Sequence, residues 1–218
     1  MIAEDLVPLL WQGLRETAYM VGVSTAVSAV GGLLIGVLLV LTDRGGLLAA
    51  PPVNAVLGLI VNIGRSLPFI ILLVAIIPFT RALVGTSIGT TAAIVPLAVS
   101  AIPFYARLVE TALREVDRDV IAAATAMGAS RTQIVFKVLL REARPGLVAG
   151  LTVTVVALIG YSAMAGVVGG GGLGDLAVRY GYQRFENHIM IATVVVLVIF
   201  VQLVQMLGDF VARRLSHK

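Results

Sequence analysis

The 218-residue chain has no cysteine, which excludes disulfides and thiolate metal sites and leaves the compartment open. Charge is scarce: 13% of residues are Asp, Glu, Lys or Arg, against about a quarter in a soluble domain. A water-soluble globule is therefore excluded. The two histidines, His188 and His217, stand far apart in sequence, and no cluster with metal-ligand spacing exists. There is no GxxxxGK[ST] phosphate loop, so ATP is not held in that way. No repeat of 20–50 residues and no matched pair of broken helices is present, which argues against an inverted-repeat secondary transporter. The serines lack a His/Asp set at membrane depth, so an intramembrane protease is a poor fit. Gly169-Gly-Gly-Gly-Leu-Gly174 matches GxGxxG as a string, but a dinucleotide site needs a strand before it and a helix after it in a soluble unit. It reads instead as a flexible outer turn ending the fourth span, part of the outer mouth, with Asp175 starting a short surface helix.

What is present is apolar. Hydrophobic residues make up 59% of the chain, and the mean hydropathy is +1.02. Five blocks are long enough to cross about 30 Å of hydrocarbon: residues 20–41, 53–77, 82–106, 146–168 and 189–208. The predicted fold is an all-α membrane protein of five transmembrane helices in one domain, residues 1–218. In the first block Ser24, Thr25 and Ser28 are expected to bond to carbonyls one turn back. Gly32 and Gly36 form a small-xxx-small pair, a signature of tight helix packing. Pro96 and Pro103 fall inside the third block. A cleaved secretory signal is not expected, because Glu4 and Asp5 stand where such a signal carries positive charge.

Lys and Arg placement sets the orientation. Eleven fall on one face: Arg44, Arg107, Arg114, Arg118, Arg131, Lys137, Arg141, Arg144, Arg213, Arg214 and Lys218. Four fall on the other: Arg15, Arg81, Arg179 and Arg184. The N-terminus is therefore expected outside and the C-terminus in the cytoplasm. Trp11, Tyr19, Tyr180, Tyr182 and Phe185 suit the outer interface. The topology explains the inner cations, so neither nucleic acid nor a special lipid is called for.

The one long polar segment, residues 107–145, is predicted to be cytoplasmic. Asp117 is placed to cap a helix, with Asp119 favourable in its first turn. Val116, Val120, Ala124 and Met127 form an apolar stripe. Gly128 is a left-handed stop, and Ser130-Arg-Thr-Gln133 is a capping box opening a second helix, whose apolar positions are Ile134, Val135, Val138 and Leu139. The elbow between the helices is made of small residues: Ala122, Ala123, Ala124, Ala126, Gly128 and Ala129. Two readings stand here, a hairpin packed on its own helix ends and a docking knob for a second protein.

The segment resembles the EAA loop of ABC importer permeases, E-A-A-x3-G-x9-I-x-L-P. Aligned on Gly128, Ala122, Ala123, Ala124, Val138 and Leu140 keep the spacing. Ala122 replaces the Glu and Arg141 the Pro, and the missing Glu removes a charged contact to the ATPase. Further stretches resemble methionine importer permeases: Arg65-Ser-Leu-Pro-Phe-Ile-Ile-Leu-Leu73, Ile77-Pro-Phe-Thr-Arg81, Val84-Gly-Thr-Ser-Ile-Gly89, Gly160-Tyr-Ser-Ala-Met164, Gly171-Gly-Leu-Gly174 and Tyr180-Gly-Tyr182. The resemblance runs from about residue 15 to the end. It implies a type I ABC importer permease in the bacterial inner membrane that carries D- or L-methionine, or both, by alternating access. It implies as partners a second copy of the chain, two ABC ATPase subunits and an extracytoplasmic methionine-binding lipoprotein. The chain itself is then no enzyme and binds no cofactor; ATP and Mg are used by the ATPase. Its coupling residues would be Ala122, Ala123, Ala124, Met127, Gly128, Ala129, Ser130, Val138 and Leu140. The alternatives are a permease for another amino acid or an osmolyte, and a membrane scaffold subunit with no pathway.

Candidates for the pathway are Arg65, Ser66, Pro68, Tyr161, Ser162 and Met164. Arg65 is the one charge inside a predicted span, and no acidic residue lies in any span to pair with it. Such residues usually face a pathway or find a partner; here the options are a substrate carboxylate, carbonyls freed by Pro68, or a place nearer the inner surface. Resemblance places the gate near Met164, a flexible apolar plug, beside Tyr161 and Ser162. Thr90, Thr91 and Ser100 could add hydroxyls to the pathway.

Overall fold

The computed structural model describes residues 3–216; His217 and Lys218 lie outside the described residues. Helix α1 (Ala3–Thr42) is continuous over 40 residues, about 60 Å at 1.5 Å per residue. The expected span, residues 20–41, is only its second half. The first half stays helical because it packs. A Cβ on Gly13 would lie 2.5 Å from Leu176 Cδ1, and Thr17 is buried.

The second expected span, residues 53–77, is not one helix. Helix α2 (Pro51–Ser66) and helix α3 (Phe69–Ala75) meet at 103°. Pro68 pushes Leu67 into extended geometry, with φ −82° and ψ 125°, as a residue before proline prefers. Helix α4 (Ile77–Val84) is stopped by Gly85 at φ +83°. The third expected span, residues 82–106, is displaced for that reason. Helix α5 (Thr90–Arg114) starts after the glycine turn, takes Pro96 and Pro103 inside it, and runs on to Arg114. Residues 107–114 therefore belong to this helix rather than to the polar segment.

Beyond it come α6 (Arg118–Ala126), α7 (Arg131–Gln133), a π-helical turn Ile134–Leu139 and α8 (Leu140–Glu142). Helix α9 (Arg144–Ala165) passes through a π-helical turn, Gly166–Gly170, into α10 (Gly172–Leu176). A third π turn, Ala177–Tyr182, precedes α11 (Asn187–Leu215). No strand occurs among the described residues. Four helices, α1, α5, α9 and α11, are long and apolar enough to cross a membrane, and the bent pair α2–α3 supplies a fifth candidate.

Helix α5 is the centre, with more than half of its apolar stretch buried, while α11 is mostly exposed and peripheral. Gly32 and Gly36 let α1 lie directly on α5. A Cβ on Gly36 would come within 2.6 Å of Val109 Cβ and 2.7 Å of the Ala106 carbonyl oxygen. Along the same seam Ser24 Oγ donates to the Ile94 carbonyl at 3.3 Å, and Ser28 Oγ to that of Ala98 at 3.5 Å. These hydroxyls therefore bond across the seam and not one turn back along α1 as expected. The buried Thr25 hydroxyl has no partner among the described residues.

Polar side chains tie α1, α2 and α5 together at the end of the bundle that carries the polar segment. Asn54 Nδ2 donates to the Leu39 carbonyl at 2.6 Å and to Thr42 Oγ1 at 3.2 Å. Glu110, 5% exposed, accepts from Arg107 Nη1 at 2.6 Å and from Arg114 Nη2 at 2.9 Å. Arg107 Nη2 also donates to Asn62 Oδ1 at 2.6 Å, and Arg114 Nη1 pairs with Asp43 Oδ2 at 2.7 Å. The Arg114 guanidinium, with help from the Arg44 backbone N–H, holds the Asp43 carboxyl below its ordinary value of 3.8.

Two outcomes follow for purified protein. Gly36→Val should lower stability by about 1–3 kcal/mol through overpacking, whereas Gly22→Ala, where a Cβ meets nothing within 4 Å, should leave the thermal midpoint in detergent unchanged or raised. Asp43 favours folding through its charged form, so its contribution is complete above its ordinary value and fades as pH falls through the lower folded value. The stability gap between wild type and Asp43→Asn should hold constant from about pH 7 to about pH 5 and close only as the pH falls below the ordinary value of 3.8, measured by unfolding across pH. A gap that closes by pH 5 would refute this.

Candidate functional site

After Arg114 the chain builds a short, stiff hairpin. The Asp117 carboxylate accepts from the Asp119 N–H at 2.9 Å and opens α6. Gly128, at φ +81°, turns the chain. Ser130 N–H then donates to Gln133 Oε1 at 2.8 Å, and Gln133 N–H returns a bond to Ser130 Oγ at 3.3 Å. The hairpin rests on Leu113, Ile134, Val135 and Leu139, all buried. Of the expected stripe, Ala124 is buried and Val116 partly so, but Val120 and Met127 turn outward. Ile121 packs inward with Ala124 instead. Asp117 is extended as a cap, so Val116 and Val120 do not share a helical face across it; Met127 ends the helix beside the left-handed glycine and leaves the stripe.

The outcome is a convex elbow. Met127 is 82% exposed, and Ala122, Ala123, Gly128 and Ser130 are exposed around it, with Ala129, Val138 and Leu140 half-buried beneath. Ala124 is part of the floor and not of the surface. Phe136, 66% exposed, adds a second apolar side chain that the periodicity did not single out. Its signal was visible as an aromatic on the polar side of an amphipathic run. Ala122, where the resemblance leads one to expect Glu, borders a cleft of about 510 Å³ shared with Asp43, Arg44, Arg114 and Arg118.

The pathway candidates divide. Arg65, Ser66 and Pro68 sit together and exposed at the α2–α3 bend. Ser66 Oγ donates to the Asn62 carbonyl at 2.8 Å. Among the described residues nothing bonds Arg65, so carbonyls freed by Pro68 do not hold it. Just past Pro68 the Phe69 ring stacks on Tyr161, with centroids 4.8 Å apart and planes 5° from parallel. Met164 lies one turn further along α9 and is 39% exposed. The bend thus brings Pro68, Phe69, Tyr161 and Met164 into one region. Ser162 is not part of it: its hydroxyl is buried and donates to the Ile159 carbonyl at 2.7 Å. Ser100 Oγ is likewise used by the Leu97 carbonyl, at 2.8 Å. Thr91 is exposed at the start of α5, and Thr90 borders the cavity described next.

At the opposite end the glycine run is neither a loose turn nor a surface helix. The helix after it begins at Gly172, before Asp175, and Gly172, Leu173, Gly174 and Leu176 are buried. A Cβ on Gly174 would collide with the Ala163 backbone, and one on Gly166 with Asp175 N. Glu16 Oε2 accepts from the Gly172 N–H at 2.7 Å, and Thr17 Oγ1 from that of Leu173 at 2.9 Å. The glycines give backbone-on-backbone packing, and the extended part of α1 holds them. Glu16, Asp175, Arg179 and Tyr180 border a polar cavity of about 390 Å³ here. Among the described residues no three His, Asp or Glu side chains converge as for a metal ion.

Similarity to known proteins bears on this arrangement. The family described as "Binding-protein-dependent transport system inner membrane component" matches residues 32–218. A relative from Vibrio cholerae, named a probable D-methionine transport system permease protein MetI, is 53% identical over 210 residues, covering 96% of this chain and 93% of its own. A Bacillus subtilis relative named methionine import system permease protein MetP is 46% identical over 209 residues, covering 96% and 94%. Among solved structures, a chain of the MetNI methionine ABC transporter, described as inward facing, is similar with a TM-score of 0.97 at 50% identity, over 99% of this chain and 100% of that one. With helices, bend and hairpin in place and a match over most of its length, the chain belongs to the family of binding-protein-dependent transport system inner membrane components.

Proposed function

We propose that this chain is the membrane-spanning subunit of an ATP-driven methionine importer, carrying D-methionine, L-methionine or both inward by alternating access. The observation that carries this reading is identity of about half, over nearly the full length, to permeases named for methionine transport. The geometry supports it. Met127 and Phe136 stand out from a hairpin braced by two caps and a buried floor, as a docking knob on an ATPase subunit requires. Two copies of the chain, two ATPases that use ATP and Mg, and an extracytoplasmic binding lipoprotein complete the assembly. The hairpin end is cytoplasmic because the inner-face cations gather there; the N-terminus then lies outside.

In this reading the docked hairpin moves with the ATPases, and the helices rooted in it tilt. Half-exposed Met164 and partly buried Tyr161, backed by the buried Phe69, form an apolar constriction that suits a thioether side chain. Arg65, exposed and unbonded at the bend, faces the path and attracts the carboxylate of the amino acid.

In proteoliposomes holding the permease with its ATPase, labelled methionine should accumulate only with ATP and binding protein. Accumulation of another solute, and no methionine, would sink the substrate assignment. Met127→Asp should weaken ATPase association about tenfold or more, read as loss of co-purified ATPase from a permease that still folds. Arg65→Ala should weaken uptake about tenfold, as expected for losing a charged hydrogen bond; unchanged uptake at equal permease content would remove Arg65 from the path.

A further inference from the structure

We infer that Glu110 and Asn62 are positioning residues that make α2 follow the coupling hairpin, so that a push on the hairpin reaches the α2–α3 bend. This rests on the importer reading above. Charges along the chain alternate: Asp43, Arg114, Glu110, Arg107, and then the neutral Asn62. The two arginines and the glutamate lie on α5, Asp43 in the α1–α2 turn and Asn62 on α2. Arg114 is the last residue of α5, three positions before the cap of the hairpin. Asn62 is one turn before Ser66, where α2 ends at the bend. One buried carboxylate therefore connects the root of the hairpin to the helix that ends beside Phe69 and Tyr161.

The arrangement is not needed merely to hold helices together. Glu110 is buried while Arg107 and Arg114 are 32% and 46% exposed; such pairs gain little over apolar packing, whereas removing a partner leaves the buried charge uncompensated. Its use lies in fixing register: Arg107 cannot turn from Asn62 without loosening Glu110, which also holds Arg114. The packing agrees, since a Cβ on Gly64 would lie 2.8 Å from Pro103 Cγ, so α2 and α5 also touch one level above the polar link. Asn54 pins the lower end of α2 to α1, and the Asn62 link stops its upper half from pivoting about that point.

The test is the ratio of solute moved to ATP hydrolysed in the reconstituted complex. Asn62→Leu keeps the size and removes the acceptor, and the one Arg107 donor it frees is exposed. It should assemble and hydrolyse ATP but move at least about fivefold less methionine per ATP. Asn62→Asp, which restores an acceptor, should keep the wild-type ratio. Combining Asn62→Leu with Glu110→Gln should do no more harm to the ratio than the worse of the two, because both cut one chain. A merely structural role would lower the yield of complex and leave the ratio alone. Should Glu110→Gln fail to assemble, the Asn62 pair decides. A second measurement needs no solute. The chain has no cysteine, so spin labels can be placed at Leu59→Cys on α2 and Thr132→Cys on the hairpin. The distance distribution should keep its width with and without nucleotide in the otherwise wild-type complex and widen with Asn62→Leu. If the wild-type complex moves no methionine while Asn62→Leu still widens the distribution, the substrate is overturned and the link is kept. A wild-type ratio, or an unchanged width, in Asn62→Leu would overturn the link.

Discussion

Gly32 and Gly36 set the distance between α1 and α5, and much of the structure follows from it. Lipid tails are as apolar as leucine, so helices in a bilayer associate through close packing and interhelical bonds rather than through exclusion of water. With no side chains between them, the two backbones lie near enough for Ser24 and Ser28 to reach carbonyls on the other helix. That seam also aligns the end of α1 with the end of α5, so that Asp43 meets Arg114 and Leu41 joins Leu113 in the floor under the hairpin. The hairpin is rigid because its foundation is.

The site has two parts at different levels of the bundle. One is the elbow at Met127, which presents apolar atoms to water and has no use for them within the chain. The other is the region around the α2–α3 bend, where Phe69 lies flat on Tyr161. Helix α5 touches both, and it is the most buried of the long helices. An assembly that must turn a surface contact into a change of access needs such a central strut, since soft intermediate packing would absorb the motion.

What could be read from sequence was local. The Asp117 cap, the Gly128 turn and the Ser130–Gln133 capping box each depend on residues within four positions, and each has the predicted geometry. The apolar blocks gave the fourth and fifth spans to within about two turns, but only the second half of α1. What could not be read depended on distant partners. Pro68 was visible, but the 103° bend is stabilised by Phe69 finding a ring far along the chain. The first half of α1 falls outside the five apolar blocks, and nothing near it in sequence shows that Gly13 and Thr17 will meet the glycine run. The glycines themselves looked like slack, because nothing nearby shows that Ala163 and Glu16 will close on them. Arg107, Glu110 and Arg114 sit at helical spacing, but their bonds to Asn62 and Asp43 cross long stretches of chain.

The break after Ser66 has a consequence for solvent. A helix that stops inside a bilayer leaves its last carbonyls without N–H partners, and hydrocarbon cannot supply them. Pro68 adds to the deficit, having no N–H to give. Those oxygens, beside the exposed Arg65, must then be hydrated. A chain that is 59% hydrophobic therefore carries a notch that calls for water where α2 ends, beside its long apolar helices.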